Sequence, residues 1–416
     1  MRILATAYAC RPGFGSEDGN GWWLADQLRR FGDVWVLTPS HNRAAIEESV
    51  RDRPTRGRIK FVYVDVPGWA ADSPRANRWR RTHYNLWQLR IVQVARKLQR
   101  EIAFDVVHHL TYGQYWSGSW MGTLGLPFVW GPVGGGESAP DALVAMLPED
   151  GRRYERNRDL ARSIGRRTLP VARAARGATL ALAATEETRR AIESLGARRV
   201  EVMPTGALPD ADYRSLSSIR RTPAPEGFRI MCVGRLEHWK GFHLAVEAFA
   251  TGARDIADSE LWIVGEGPAH SHLRDVIRRH RLDDKVTLLG RLPRSEVLDR
   301  LARSHVLAHP SLHDSAGWAT LEAAAAGLPV VCLDLGGPAL QVTVDTGIKV
   351  PVDDASRIVP AIADAFASLA ADPCHARQLG AAGRARVGQH FTWERLGDRL
   401  ATLEPYRSGA GAGDSL

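Results

Sequence analysis

Lysine is scarce in this chain: five residues (Lys60, Lys97, Lys240, Lys285 and Lys349) stand among 55 basic ones, and the rest are arginine. Arginine is thus the background, and a lysine inside a motif carries more information than usual. Cysteine is scarcer still. Cys10, Cys232, Cys332 and Cys374 are widely separated with no C-x-x-C pair, which excludes a disulfide-stapled small fold and points to reduced, buried thiols in a cytoplasmic setting. Long hydrophobic runs are missing as well. The longest uncharged stretch, residues 106–136, contains two His, two Pro and many Gly, unlike a spanning helix. The short apolar run before Arg11-Pro12-Gly13 has one arginine ahead of it, so it reads as a buried first strand rather than a secretory leader.

What remains is ordinary globular composition, 44% hydrophobic and 25% charged over 416 residues, enough for two large domains with their own cores. The net charge of +8 favours anionic partners. Short apolar runs (Ile3 to Ala9, Val34 to Thr38, Ile59 to Val64, Val106 to His109) alternate with amphipathic segments, the pattern of a parallel α/β sheet. The alternation lapses in a Pro-rich stretch near Pro204 to Gly227. It resumes with strands expected at Arg229 to Val233, Leu261 to Val264, Val286 to Leu289, His305 to His309 and Pro329 to Leu333. Two doubly wound, Rossmann-like domains facing a cleft are predicted, 1–205 and 206–390. A terminal amphipathic helix is expected over 391–407, and 408–416 would be a disordered Gly/Ser tail.

Two clusters in the second half carry chemistry. Cys232-Val233-Gly234-Arg235-Leu236-Glu237-His238-Trp239-Lys240-Gly241 ends a strand and presents two cations five residues apart. Arg235 as a bidentate fork and Lys240 as a point charge suit a phosphate leaving group; surface cations on a loop are the plain alternative. The second cluster runs from His313 and Asp314 through Gly317 and Glu322 to Gly327-Leu328-Pro329-Val330. A loop ending near Gly317 would put Glu322 just inside a helix whose N-terminal amides make an anion site beside Asp314, although a capping acid and a first-turn acid are also commonplace.

In this order the motifs resemble glycosyltransferase family 4, retaining enzymes of the GT-B fold that use nucleotide-sugar donors. They are Gly234-Arg235 with Lys240-Gly241, Leu261-Trp262-Ile263-Val264-Gly265-Glu266-Gly267-Pro268, Val286-Thr287-Leu288-Leu289-Gly290, and the acid-x7-Glu segment from Asp314 to Glu322. The resemblance implies that Arg235 and Lys240 bind the donor diphosphate, that Glu322 binds the ribose and that Asp314 lies beside the transferred sugar. Gly15, Gly265, Ser315, Ala316, Gly317 and Trp318 would complete the donor site, with the base near Arg291 and Leu292. Position 314 is usually Glu, so this chain is one methylene shorter there. The resemblance implies a metal-independent hexosyltransferase with no cofactor beyond its donor, acting on a carbohydrate, lipid-linked or small-molecule acceptor. A non-catalytic nucleotide-sugar-binding protein is the alternative.

The N-terminal half is similar more loosely, through Arg11-Pro12-Gly13-Phe14-Gly15-Ser16-Glu17. Its glycines are spaced G-x-G-x-x-x-G and no acid follows the second strand, which argues against a nicotinamide site. Glu17, His108, His109 and Glu137 are the acceptor-side candidates, with His109 also catalytic. Strand alternation puts His108 and His109 on opposite faces, so they cannot share a metal. A family histidine usual after the next strand is absent here, where the chain reads Pro127-Phe128-Val129-Trp130-Gly131-Pro132-Val133-Gly134-Gly135-Gly136-Glu137. Asp210-Ala211-Asp212 and His305, His309, His313 do not support a metal either. Arg75 to Arg100 carries eight cations with Trp79, Tyr84 and Trp87, and Gly151 to Arg199 carries 13 Arg against five acids. A solvated helix face and peripheral contact with an anionic membrane both stay open; no nucleic-acid motif accompanies the charge.

Overall fold

The structure, a computed structural model, describes residues 1–51, 58–222 and 227–407. The expected tail at 408–416 and part of the Pro-rich stretch lie outside these residues. The chain divides into two compact units, Met1–Gly136 with Leu160–Ala207 and Trp393–Leu416, and Glu137–Asp159 with Leu208–Thr392.

Unit 1 is built on β1 (Arg2–Ala7), β2 (Asp33–Thr38), β3 (Ile59–Tyr63), β4 (Val106–Thr111), β5 (Phe128–Val133), β6 (Leu180–Ala183) and β7 (Val200–Val202). They form one sheet in the order β3-β2-β1-β4-β5-β6-β7, with every pair parallel. β4, β5 and β6 are buried along their whole length, as strands covered on both faces must be. The helix Arg80–Ile102 closes one face with Tyr84, Trp87, Ile91 and Ala95, which pack on Phe128 and Trp130. The helix Trp393–Ala401 buries Trp393, Leu396 and Leu400 at helical spacing. It lies along the helix Ser16–Leu28 in the same unit, where Arg30 pairs with Asp398 at 2.5 Å.

Unit 2 repeats the plan with β8 (Arg229–Val233), β9 (Glu260–Val264), β10 (Val286–Gly290), β11 (Val306–His309), β12 (Val330–Leu333) and β13 (Gly347–Val350), in the parallel order β10-β9-β8-β11-β12-β13. Two apolar layers cover the faces of this sheet, one around Phe249, Phe366 and Leu244, the other around Leu301, Leu321 and Leu328.

Several expectations need correction. Residues 137–159, placed with the first domain by sequence order, belong to unit 2, because Ala139, Leu143 and Leu147 join its core. The stretch after Pro204 is not all irregular: Asp210–Ser217 is a helix of unit 2, and Asp210 pairs with Arg214 one turn on. Cys10, Cys232 and Cys332 are buried, but Cys374 is exposed. Among the described residues no helix is long and apolar enough to cross a membrane.

Candidate functional site

In an open parallel sheet, ligands sit beyond the C-terminal strand ends where the strand order reverses. In unit 2 that point lies between β8 and β11. The loop after β8 carries Arg235 and Lys240, and the loop after β11 carries Asp314. The two loops meet: Lys240 Nζ donates to Asp314 Oδ2 at 2.5 Å, with only 14% and 12% of the two side chains exposed. His309 Nε2 donates to the same oxygen at 3.2 Å, while Oδ1 accepts from the backbone N–H groups of Ala316 and Gly317, each at 3.1 Å. Four bonds saturate a carboxylate. The shorter acid at position 314 is therefore spent inside its own loop, holding Lys240 and the turn. Burial alone would raise its pKa, but the Lys240 charge and the His309 hydrogen bond outweigh burial and hold it well below the usual carboxylate range.

Gly317 adopts the left-handed conformation (φ 57°) and caps the helix Trp318–Ala325, a turn a residue with a Cβ resists. Thr320 and Gln341 hydrogen-bond beneath it, and Gln341 Nε2 donates to Ala316 O at 2.7 Å. Glu322 falls in the second turn of that helix, where Oε1 accepts from Arg294 Nη1 at 2.6 Å. That single bond leaves the carboxylate with acceptor capacity. Ser315 is held from the other side, its hydroxyl donating to Glu137 Oε2 at 2.8 Å.

The neighbouring strand ends are laced to this loop. Gly234 N–H donates to Val264 O, Leu236 N–H to Glu266 O and Gly265 N–H to Gly290 O. Gly265 sits at φ 140°, and a Cβ there would fall 1.9 Å from Gly234 O. The LWIVGEGP motif thus closes the turn against the cation loop rather than reaching a ligand through a side chain. Arg235 and Arg291 are 75% and 84% exposed, Arg235 against Glu237 and Arg291 near Glu266; Leu292 and Trp318 are half-buried, packed on the Leu321 layer.

The candidates in unit 1 fare differently. His108 and His109 are both fully buried, which corrects their placement at an acceptor. His108 Nε2 donates to Gly131 O at 2.6 Å, and its Nδ1 lies 2.6 Å from the Tyr406 hydroxyl. His109 Nε2 donates to Tyr112 O at 3.2 Å, with Nδ1 3.1 Å from Thr6 Oγ1. Burial lowers their pKa values to about 3 and about 4, so both rings are neutral core groups with no ring nitrogen left for a ligand. Glu17 is half-buried in the first turn of the helix Ser16–Leu28 that follows β1, and accepts from Gly113 N–H after β4, at the strand-order reversal of this sheet. Burial raises its pKa, with the Gly113 bond opposing. Gly15 is exposed and precedes the helix Ser16–Leu28.

Arg294 and Gln341 are not singled out by the sequence, and His309 enters there only as a histidine that supports no metal. Arg294 has a usable signal, since it lies three residues beyond the candidate Arg291. The others come from long-range packing. Among the described residues no group of three or more His, Cys, Asp or Glu is placed to hold a metal ion.

Two doubly wound parallel sheets of this order make up the GT-B fold. Over 98–99% of their length the solved structures of a sucrose-phosphate synthase from Thermosynechococcus elongatus (TM-score 0.63, 18% identity, 98% of each chain) and a glycosyltransferase from Rickettsia africae (TM-score 0.64, 13% identity, 99% of each chain) share the fold. Residues 218–386 match the family described as glycosyl transferases group 1. A Mycobacterium tuberculosis glycogen synthase is 34% identical over 183 residues, 44% of each chain. A D-inositol 3-phosphate glycosyltransferase from Pseudarthrobacter chlorophenolicus is 28% identical over 333 residues, 76% of this chain and 74% of its own. The match to the first of these spans less than half of that relative's length.

Proposed function

We propose that the protein is a retaining glycosyltransferase of family 4 type, which moves a hexosyl group from a nucleoside diphosphate sugar to a hydroxyl-bearing acceptor. The observation that carries this reading is the Lys240–Asp314 pair, joined across the switch point of unit 2 with Glu322 on the helix that follows. Lys240, oriented by Asp314, keeps further N–H donors for a diphosphate oxygen, and exposed Arg235 supplies a second, mobile charge. Glu322 takes the ribose hydroxyls, and the base rests near Arg291 and Leu292. The cations neutralise charge as the diphosphate departs, which needs no metal, and that phosphate accepts the acceptor's proton on the same face of the sugar. Ser315 and Glu137 line the sugar end of the loop. Glu17 is the acceptor-side carboxylate of unit 1.

The test is titration and turnover of UDP-, GDP-, ADP- and dTDP-sugars with and without EDTA, for the wild type, Lys240→Ala and Glu322→Ala. One donor turned over in EDTA and weakened by both substitutions supports the reading, and the product's anomeric configuration reports retention. Saturable binding without turnover, with candidate acceptors present, would favour a nucleotide-sugar-binding protein.

A second proposal concerns location: a cytoplasmic protein in peripheral contact with an anionic membrane. The helix Arg80–Ile102 exposes Leu86 and Leu89 in line with Trp79, flanked by Arg90, Arg96, Lys97 and Arg100. Leu160, Ile164 and Leu169 of the same unit are exposed beside it, where Arg81 Nη1 donates to Ala161 O at 3.3 Å. Apolar side chains ringed by arginine fit an anionic lipid surface.

A further inference from the structure

Within unit 2, residues 137–159 set three carboxylates against the two loops of the candidate donor site. Glu137 accepts from Ser315, Asp150 from His238 Nε2 at 2.8 Å, and Glu155 from His313 Nε2 at 2.9 Å. The last pair is the most enclosed, with 3% of the Glu155 side chain and 8% of His313 exposed. A carboxylate buried this deeply adds little net stability over an apolar pair, so its retention calls for another account.

The His313 ring supplies one. It lies parallel to the Trp239 indole, with centroids 4.7 Å apart and planes 16° from parallel. The Lys240 ammonium sits over the same indole, 4.5 Å from its centroid. The backbone ties the loops together at this point, since Leu312 N–H donates to Trp239 O at 2.8 Å. Lys240 is therefore held twice, by the Trp239 face and by Asp314, and both holds depend on the segment that His313 occupies.

We infer that Glu155 is a positioning residue for Lys240, acting through the His313 ring and the Trp239 indole. The role rests on the assignment of Lys240 to the donor diphosphate. A lysine stem has four rotatable carbons, and freezing it costs entropy that binding must otherwise supply. A support that fixes Trp239 removes that cost before the ligand arrives. Without the Glu155 carboxylate, the His313 N–H loses its buried acceptor, the ring turns, and the indole under the ammonium loses its backing.

The experiment is calorimetric titration with UDP, GDP, ADP and dTDP, followed by comparison of whichever binds with its nucleoside. Glu155→Ala is expected to weaken the diphosphate about tenfold, the scale of one hydrogen bond to a charged group, and to leave the nucleoside unchanged. Glu155→Gln keeps an acceptor oxygen and restores most of the affinity. In a Lys240→Ala background, Glu155→Ala adds no further loss, because the two act on one interaction. Glu155→Met, which fills the same space without an acceptor, repeats the comparison should alanine leave an unfolded protein. Equal losses for diphosphate and nucleoside, losses that add to those of Lys240→Ala, or no loss at all would overturn the role. If Lys240→Ala itself spares the diphosphate, the donor-site assignment falls, and this role with it.

Discussion

The Tyr406 hydroxyl and His108 Nδ1, 298 residues apart in sequence, meet at 2.6 Å inside unit 1. Because His108 Nε2 carries the proton it donates to Gly131 O, Nδ1 is the acceptor and the phenol the donor. Tyr406→Phe leaves that nitrogen buried and unpaired at a cost of about 1–3 kcal/mol. A melting temperature lower by several degrees is expected, with donor affinity unchanged.

Asp314 ties stability to pH. Its folded pKa lies below the unfolded value, so its contribution is complete above roughly pH 4, the ordinary carboxylate range, and is lost as pH falls further. Asp314→Asn removes one partner of a buried pair, worth about 3 kcal/mol near neutrality. Denaturant titrations of wild type and variant from pH 7 to pH 3 should therefore converge on acidification; a gap that widens instead would show the pair is not the cause.

Glu322 and Arg294 frame the ribose assignment. A carboxylate that binds hydroxyls discriminates against a ligand lacking one. Wild type should prefer a ribonucleoside diphosphate over its 2′-deoxy form, by about tenfold for one hydrogen bond to a charged group, and Glu322→Ala should erase the preference. Arg294→Ala, which frees the carboxylate without removing it, should lower affinity for both forms while preserving part of the preference. Competition titrations measure all three.

The exposed face of Trp79, Leu86 and Leu89 makes a prediction that needs no substrate. The protein should co-sediment with phosphatidylglycerol vesicles and not with phosphatidylcholine vesicles. The binding should weaken with salt, as attraction to a charged surface does. Leu86→Ser with Leu89→Ser should reduce it. Equal recovery with both lipids would dismiss the surface.

The candidate loops that meet in unit 2 are legible because their pattern is local. Lys240 and Asp314 each stand a few residues beyond an apolar strand, in turns that glycine marks, and strand order brings them together, while Glu322 lies further on, in the helix Trp318–Ala325. Short elements were not legible: β6 is Leu-Ala-Leu-Ala, a run too brief to separate strand from helix. Glu155 lies in a helix so rich in arginine that its pattern reads as a solvated face, and only the fold reveals which acid turns inward. The apolar run reads as a strand that ends at His108 and His109, a ligand-facing position, but β4 runs on to Thr111 and both histidines lie inside it; Tyr406 and Gly131, which bind His108, come from elsewhere in unit 1. Leu143 and Leu147 announce that they are buried without saying in which core.

That last ambiguity has a practical side. Because residues 137–159 are enclosed by unit 1 sequence on both sides yet complete the apolar layer of unit 2, no single cut in the gene separates two whole domains. A fragment starting at Leu208 would lack Leu143 and Leu147 and open a greasy socket, while the complementary fragment would carry an orphaned loop with apolar residues facing water. Dissection calls for a transplant: residues 137–159 grafted through a linker onto the 208–392 fragment, with a short Gly/Ser bridge closing the gap they leave.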